Sequence, residues 1–94
     1  MRQKFSKLSF VHVTENLPHQ MSHFPSGFDA IIDGTYSQLC GGNNIDDYCI
    51  YQIESDNIVN HIAWYHEDQL TLLPNQDKEK AEQMIEDYNF NGAD

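Results

Sequence analysis

The chain has 94 residues, of which 39% are hydrophobic, and its aromatic residues are five Tyr, five Phe and one Trp. This size and composition indicate a single folded domain over residues 1–94 and exclude the low-hydrophobicity pattern of a disordered chain. The formal net charge is −10, and residues 8–77 contain no Lys or Arg, so we expect this body to repel nucleic-acid phosphates and anionic membranes.

The charge pattern leaves proteins with basic or neutral surfaces, cations and small neutral ligands as partners, although acidity also serves solubility alone. The N-terminus has no uninterrupted apolar run of signal-peptide length, and no stretch approaches membrane-spanning length. The two cysteines are too few for a disulfide framework. These features predict a cytoplasmic protein with reduced thiols.

Five segments show the alternation or the β-branched and aromatic enrichment that is typical of strands. The predicted strands cover about residues 7–15, 27–38, 47–55, 58–66 and 69–73. The proline-containing segment 16–27 predicts a long connection that can hold one helical turn at residues 18–23. Gly34 predicts a bulge or bend in the second strand, and residues 56–57 predict a tight hairpin turn.

The hydrophobic period changes near the C-terminus, where apolar residues recur at i, i+3, i+4 and i+7. These residues are Ala81, Met84, Ile85 and Tyr88. The pattern predicts an amphipathic helix over about residues 76–90. Its apolar stripe, which extends to Phe90, either covers one face of the sheet or contacts a second copy of the chain.

Five short strands followed by a helix predict a mainly β domain. Two architectures fit: a small five-stranded barrel with the helix across an open side, or an antiparallel sheet covered on one face by the helix. Both stay open, and the stretch "AWYHEDQLTLL" favours the barrel because it resembles the end of SH3-like barrels. There, an aromatic strand is followed by a polar single turn and a short aliphatic strand. The residues that carry this resemblance are Trp64, Tyr65, Glu67, Leu70 and Leu73.

The resemblance spans about residues 27–73 and implies a five-stranded SH3-like barrel with a groove for proline-rich or basic peptides. The chain also resembles small uncharacterised bacterial or phage proteins of this plan, a likeness that implies no activity.

Histidines and acidic residues occur without the spacing of known metal sites. His19 and His23 could share a helical face, but structural zinc sites usually show two tight ligand pairs. His61 and His66 are five apart on a predicted strand, so their side chains should point to opposite faces. We therefore predict no metal site and no cofactor.

The two cysteines differ in their predicted surroundings. Cys40 precedes a Gly-Gly loop, which exposes it, whereas Cys49 alternates with Tyr51 and Ile53 as a small core residue would. No recognisable catalytic motif surrounds either thiol. We therefore predict no catalytic residue and a protein that is not an enzyme.

Aromatic residues on consecutive strands lie beside acidic turns, and alternation alone cannot bury all of them. One set should pack the core while the other forms a binding surface, unless the helix covers that face as a second core. The predicted binding residues are Tyr36, Tyr48, Trp64, Tyr65, Asp46, Asp47, Glu67 and Asp68. They favour a non-enzymatic interaction module for a protein partner with a basic surface.

Two other functions remain open at this point. The Lys/Arg-free acidic span also suits an inhibitor that mimics nucleic acid, of a phage or plasmid type. The third hypothesis is a small metal-binding protein or enzyme, which would require a thiolate or a bound metal.

Overall fold

A computed structural model describes residues 3–14 and 25–92. Its elements are β1 (Phe10–Val13), β2 (Phe28–Thr35), α1 (Tyr36–Cys40), β3 (Asp47–Glu54), β4 (Asn57–His66), a 3-10 turn (Glu67–Gln69), β5 (Leu70–Leu72) and α2 (Lys78–Gly92). The five strands form one open antiparallel sheet in the order β4-β3-β2-β1-β5. The predicted mainly β fold with a C-terminal helix is confirmed. The helical turn expected at residues 18–23 lies outside the described residues.

The last strand returns to the first one. β5 pairs with β1, with Leu70 opposite Val13 and Leu72 opposite Val11. β1 therefore has strands on both sides, because β2 pairs with its other side. This pairing places the first and last strands side by side in one sheet.

One face of the sheet forms the first core, in which Tyr48 and Tyr65 are fully buried. Their hydroxyl groups are satisfied, since the Phe5 N–H donates to Tyr48 Oη at 3.0 Å and Tyr65 Oη donates to the Pro25 carbonyl at 2.7 Å. The buried members are Phe5, Val11, Val13, Ala30, Ile32, Tyr48, Ile50, Tyr65 and Leu70. Buried tyrosines with hydrogen-bonded hydroxyls stabilise a core without leaving a polar atom unpaired.

The opposite face forms a second core under α2. Ala81 is fully buried there, and the rings of Tyr51 and Tyr88 meet edge to face with their centroids 5.9 Å apart. The apolar stripe of α2 thus covers the sheet, while Phe90 at its end is 80% exposed. β2 is buried on both faces, because Ile31 faces the second core and Ile32 faces the first, and both are fully buried.

Gln76 attaches the segment before α2 to the sheet. Its side-chain Oε1 accepts from the Phe10 N–H, and its Nε2 donates to the Phe10 carbonyl, both at 2.8 Å. The same Nε2 also donates to the Leu73 carbonyl at 2.7 Å. Gln76 therefore satisfies backbone groups of β1 beyond the end of β5, while the next residue, Asp77, caps α2 by accepting from the Lys80 N–H at 3.1 Å.

The predicted strand 27–38 ends earlier, at Thr35. Thr35 Oγ1 accepts from the Gln38 N–H at 3.1 Å, and Gln38 Oε1 accepts from the Thr35 N–H at 2.9 Å. This reciprocal capping box starts α1. Tyr36 therefore leaves the sheet, although alternation placed it on the same face as Ala30 and Ile32.

We expect the substitution Ala81→Glu to lower the free energy of unfolding by about 2–4 kcal/mol, because it places a charge in the apolar contact between α2 and the sheet. The control Gln83→Glu introduces the same residue at an exposed position of α2, four residues from Glu79 and from Asp87, whose hydrogen bond with Gln83 it removes. It should lower stability by no more than about 1 kcal/mol. Urea denaturation followed by far-ultraviolet circular dichroism measures both. Equal effects would contradict the packing of α2.

Alkaline pH should destabilise the fold. Burial raises the pKa of Tyr51 and Tyr65 to about 12 from the ordinary value of 10.0. Between these values the unfolded chain releases protons that the folded protein retains, so the free energy of unfolding falls as pH rises. Melting temperatures measured between about pH 8 and pH 12 should fall most steeply above about pH 10. The Tyr65→Phe variant should show a smaller fall of melting temperature with pH. A melting temperature of the parent protein that does not change above about pH 10 would contradict the prediction.

Candidate functional site

Three side chains with different ligating atoms converge on one point of the sheet. Asp33 comes from β2, Cys49 from β3 and His61 from β4. His61 Nε2 lies 3.0 Å from Cys49 Sγ and 2.9 Å from Asp33 Oδ2. All three ligating atoms lie within 4.8 Å of one another. We call this group the Asp–Cys–His cluster.

Irregular strand pairing produces the cluster. In the β2–β3 pair, Ile32 lies opposite Ile50 but Gly34 lies opposite Cys49, so Asp33 is an extra residue in β2. A second register shift, in the β3–β4 pair, also falls at Cys49, between Tyr48 and Ile50. A bulge changes the direction in which nearby side chains point. Cys49 therefore lies between two irregularities, which bring side chains from both neighbouring strands toward its sulfur.

Packing holds two members of the cluster in place. The ring of Tyr51 stacks on that of His61, with centroids 4.2 Å apart and planes 8° apart. Cys49 is only 7% exposed. Burial, with the negative charge of Asp33 nearby, raises the pKa of the Cys49 thiol to about 11. The thiol is therefore protonated at neutral pH and is a poor nucleophile in this state.

The cluster does not have the geometry of a cysteine protease-type triad. In such a triad the acid and the nucleophile hydrogen-bond to different nitrogens of the histidine ring. Here Cys49 and Asp33 both approach the same nitrogen, Nε2 of His61. Three groups that converge on one point match a shared ligand better than a proton relay.

The predicted aromatic surface is only partly formed. Tyr36 on α1 is 39% exposed and contacts the half-buried Trp64 of β4, with ring centroids 4.9 Å apart. Tyr48 and Tyr65, which were also predicted to bind a partner, are fully buried in the first core. Their assignment to a surface was wrong, because the sheet has a core on each face and both side chains pack into the first.

The four predicted acidic residues lie together where β3 begins and β4 ends. The Glu67 N–H donates to the Asp46 carbonyl at 2.8 Å, and Asp47 lies opposite His66 in the sheet. Asp46 and Asp68 are exposed, while Asp47 and Glu67 are half-buried. The turns of the two strands therefore present their carboxylates as one group.

The aromatic pair and the acidic group belong to the same end of the sheet. The Ser37 N–H of α1 donates to the Asn44 carbonyl at 2.8 Å, and the Asn44 side chain donates to Asp47 Oδ2 at 2.9 Å. We call this surface the acidic–aromatic end. It consists of Tyr36, Trp64, Asp46, Asp47, Glu67 and Asp68.

The other histidines within the described residues form ordinary pairs with nearby acids. His12 Nδ1 lies 2.9 Å from Asp29 Oδ1, and His66 Nδ1 lies 3.5 Å from Asp68 Oδ2. Every carboxylate contact of ion-pair length within residues 3–14 and 25–92 is made to a histidine ring rather than to Lys or Arg. His19 and His23, which were considered as zinc ligands and not predicted to bind metal, lie outside the described residues.

Comparisons with known proteins give no relatives: no protein-family model, no curated protein and no solved structure matches this chain. Among the described residues, no helix is long and apolar enough to cross a membrane.

We expect the two cysteines to differ strongly in reactivity. At neutral pH iodoacetamide should label the exposed Cys40 well before the buried Cys49, whose pKa is raised to about 11. Peptide mass mapping after timed labelling measures both rates. Labelling in denaturant is the control and should make the two rates similar, whereas equal rates in the native protein would contradict the burial of Cys49.

Proposed function

We propose that this protein is a non-enzymatic interaction module whose acidic–aromatic end binds a basic segment of a partner protein. The observation that carries this proposal is the contact between the exposed Tyr36 and the half-buried Trp64, at the same end of the sheet as four carboxylates and in a span of sequence without Lys or Arg. Within the described residues, no Lys or Arg forms an ion pair with these carboxylates, and His66 Nδ1 lies 3.5 Å from Asp68 Oδ2. The group therefore keeps its negative charge available for a partner.

The chemistry of the surface favours arginine in that partner. A guanidinium group stacks on tyrosine and tryptophan rings and forms paired hydrogen bonds with carboxylates. Trp and Tyr also contribute most of the binding energy in many protein interfaces. A segment with alternating basic and apolar residues could use both halves of the surface.

The connectivity supports an SH3-like barrel as the finer description of the fold. A single 3-10 turn, Glu67–Gln69, separates β4 from β5, and β5 pairs with β1. In SH3-like domains an aromatic strand, an acidic turn and a short aliphatic strand follow one another in this way. On this proposal the partner segment is proline-rich as well as basic.

Peptide binding tests the proposal directly. The probe is a fluorescein-labelled peptide in which arginines flank a proline-rich stretch, compared with a peptide in which each arginine is replaced by glutamine. Trp64 is the only tryptophan, so its emission reports binding at this surface without any label on the protein. We expect the arginine peptide to change both the anisotropy of the label and the emission of Trp64, and to be released by salt.

Matched variants separate a local site from general charge attraction. The double substitution Asp46→Asn with Asp68→Asn should weaken binding about threefold to tenfold, because it removes two carboxylates of the site. The control, Glu54→Gln with Asp56→Asn, removes two charges at the opposite end of the β3–β4 hairpin, roughly 25 Å away along eight residues. It should leave the affinity within about twofold.

The Trp64→Ala variant should weaken binding by at least about tenfold, as measured by anisotropy. If the Asp46/Asp68 variant and the Glu54/Asp56 control lost affinity equally, the proposal of a local site would be overturned. Such a result would indicate general charge attraction, as expected of a nucleic-acid mimic. Equal binding of the arginine and glutamine peptides would also overturn it.

A further inference from the structure

We propose that the Asp–Cys–His cluster binds one thiophilic divalent cation, with zinc as the ion that best matches its donor atoms. The sequence alone argued against a metal site, but the structure brings a sulfur, a nitrogen and an oxygen together from three neighbouring strands. This proposal is independent of peptide binding by the acidic–aromatic end.

The donor set matches zinc in kind. Zinc binds cysteine sulfur at about 2.3 Å and imidazole nitrogen or carboxylate oxygen at about 2.0–2.2 Å. A soft thiolate combined with an imidazole favours zinc over magnesium and calcium, which prefer oxygen ligands alone. A thiolate and a carboxylate also neutralise the two positive charges of the ion, which lowers the cost of placing it in a partly buried site.

The geometry requires only a small adjustment. Tetrahedral coordination at those bond lengths separates neighbouring ligand atoms by about 3.4–3.6 Å. His61 Nε2 now lies 3.0 Å from Cys49 Sγ and 2.9 Å from Asp33 Oδ2, so each gap must widen by about 0.5 Å. The ion would replace the hydrogen bonds that now join the three groups. Cys49 would exchange its S–H bond for a sulfur–metal bond, and the proton would pass to solvent.

The site is accessible from one side and anchored on the other. The side chains of His61 and Asp33 are 40% and 21% exposed, whereas Cys49 is buried. An ion can therefore enter from solvent and reach the sulfur through the exposed ligands. Three protein ligands leave a fourth position for water or for a side chain of a partner, as in open zinc sites.

Cobalt titration of the folded protein provides the test. Cobalt(II) replaces zinc in such sites, and a cobalt–thiolate bond gives a charge-transfer band in the near ultraviolet. All proteins carry Cys40→Ser, which removes the exposed thiol. We expect a thiolate–cobalt band that saturates at one ion per chain and disappears on addition of one equivalent of zinc.

Two variants alter exposed ligands without changing the core. Asp33→Asn and His61→Gln should each weaken cobalt binding by more than about tenfold, since even groups that only contact a ligand contribute this much. The controls Asp29→Asn and His12→Gln alter a second histidine–aspartate pair, whose nitrogen and oxygen are also 2.9 Å apart and which belongs to no metal-ligand cluster among the described residues. They should leave the affinity unchanged. Circular dichroism checks the fold of each variant.

Cys49→Ser should abolish the charge-transfer band while its circular dichroism spectrum remains that of the parent. If this variant does not fold, the two exposed-ligand variants alone decide the proposal. The proposal is overturned if the Cys40→Ser protein shows no thiolate–cobalt band, or if the Asp29 and His12 controls lose as much affinity as the Asp33 and His61 variants.

Discussion

The extra residue in β2 is the constraint on which the rest of the molecule depends. The β2–β3 pairing is regular up to Ile32, and if it continued unchanged, Asp33 would lie opposite Cys49. The register shift places Gly34 opposite Cys49 instead. A Cβ atom at position 34 would lie only 3.1 Å from Gln38 Oε1 and 3.4 Å from Leu39 Cγ. Because glycine has no Cβ, α1 can lie this close to the strand. This irregularity thus brings Asp33 into the Asp–Cys–His cluster and leads into the helix that carries Tyr36 to Trp64.

The sheet differs from a common two-layer domain because both of its faces are occupied. Ile31 and Tyr51 contact the helix side, whereas their neighbours Ile32 and Ile50 contact the side that holds Tyr48. In a 94-residue chain this arrangement makes the interior strands apolar on successive residues. Polar function is then confined to strand ends and bulges, which is where the acidic–aromatic end and the cluster lie.

The sequence predicted the elements well because their signals are local. The alternation in β3 and the helical period around Ala81 and Tyr88 depend on near neighbours, and the structure contains both elements. The burial of Tyr48 and Tyr65 was missed, because it depends on which faces distant segments cover. The cluster was missed for a similar reason. Alternation correctly suggested that Cys49 is buried, and Gly34 suggested a bulge. The sequence alone, however, does not show how neighbouring strands are aligned, and so it does not show which side chains a register shift brings together.

The uneven pairing along β4 has a consequence for how this protein behaves at high concentration. β4 is the outermost strand at one end of the described sheet, and an outer strand of ten residues is a template on which other chains can add. The register of its pairing with β3 shifts twice. Between the two shifts, only residues 60–62 of β4 pair regularly. Ordered cross-β assemblies need straight segments of about six residues. The two register shifts, one of which lies at Cys49 in the cluster, therefore make this strand a poor seed for fibres.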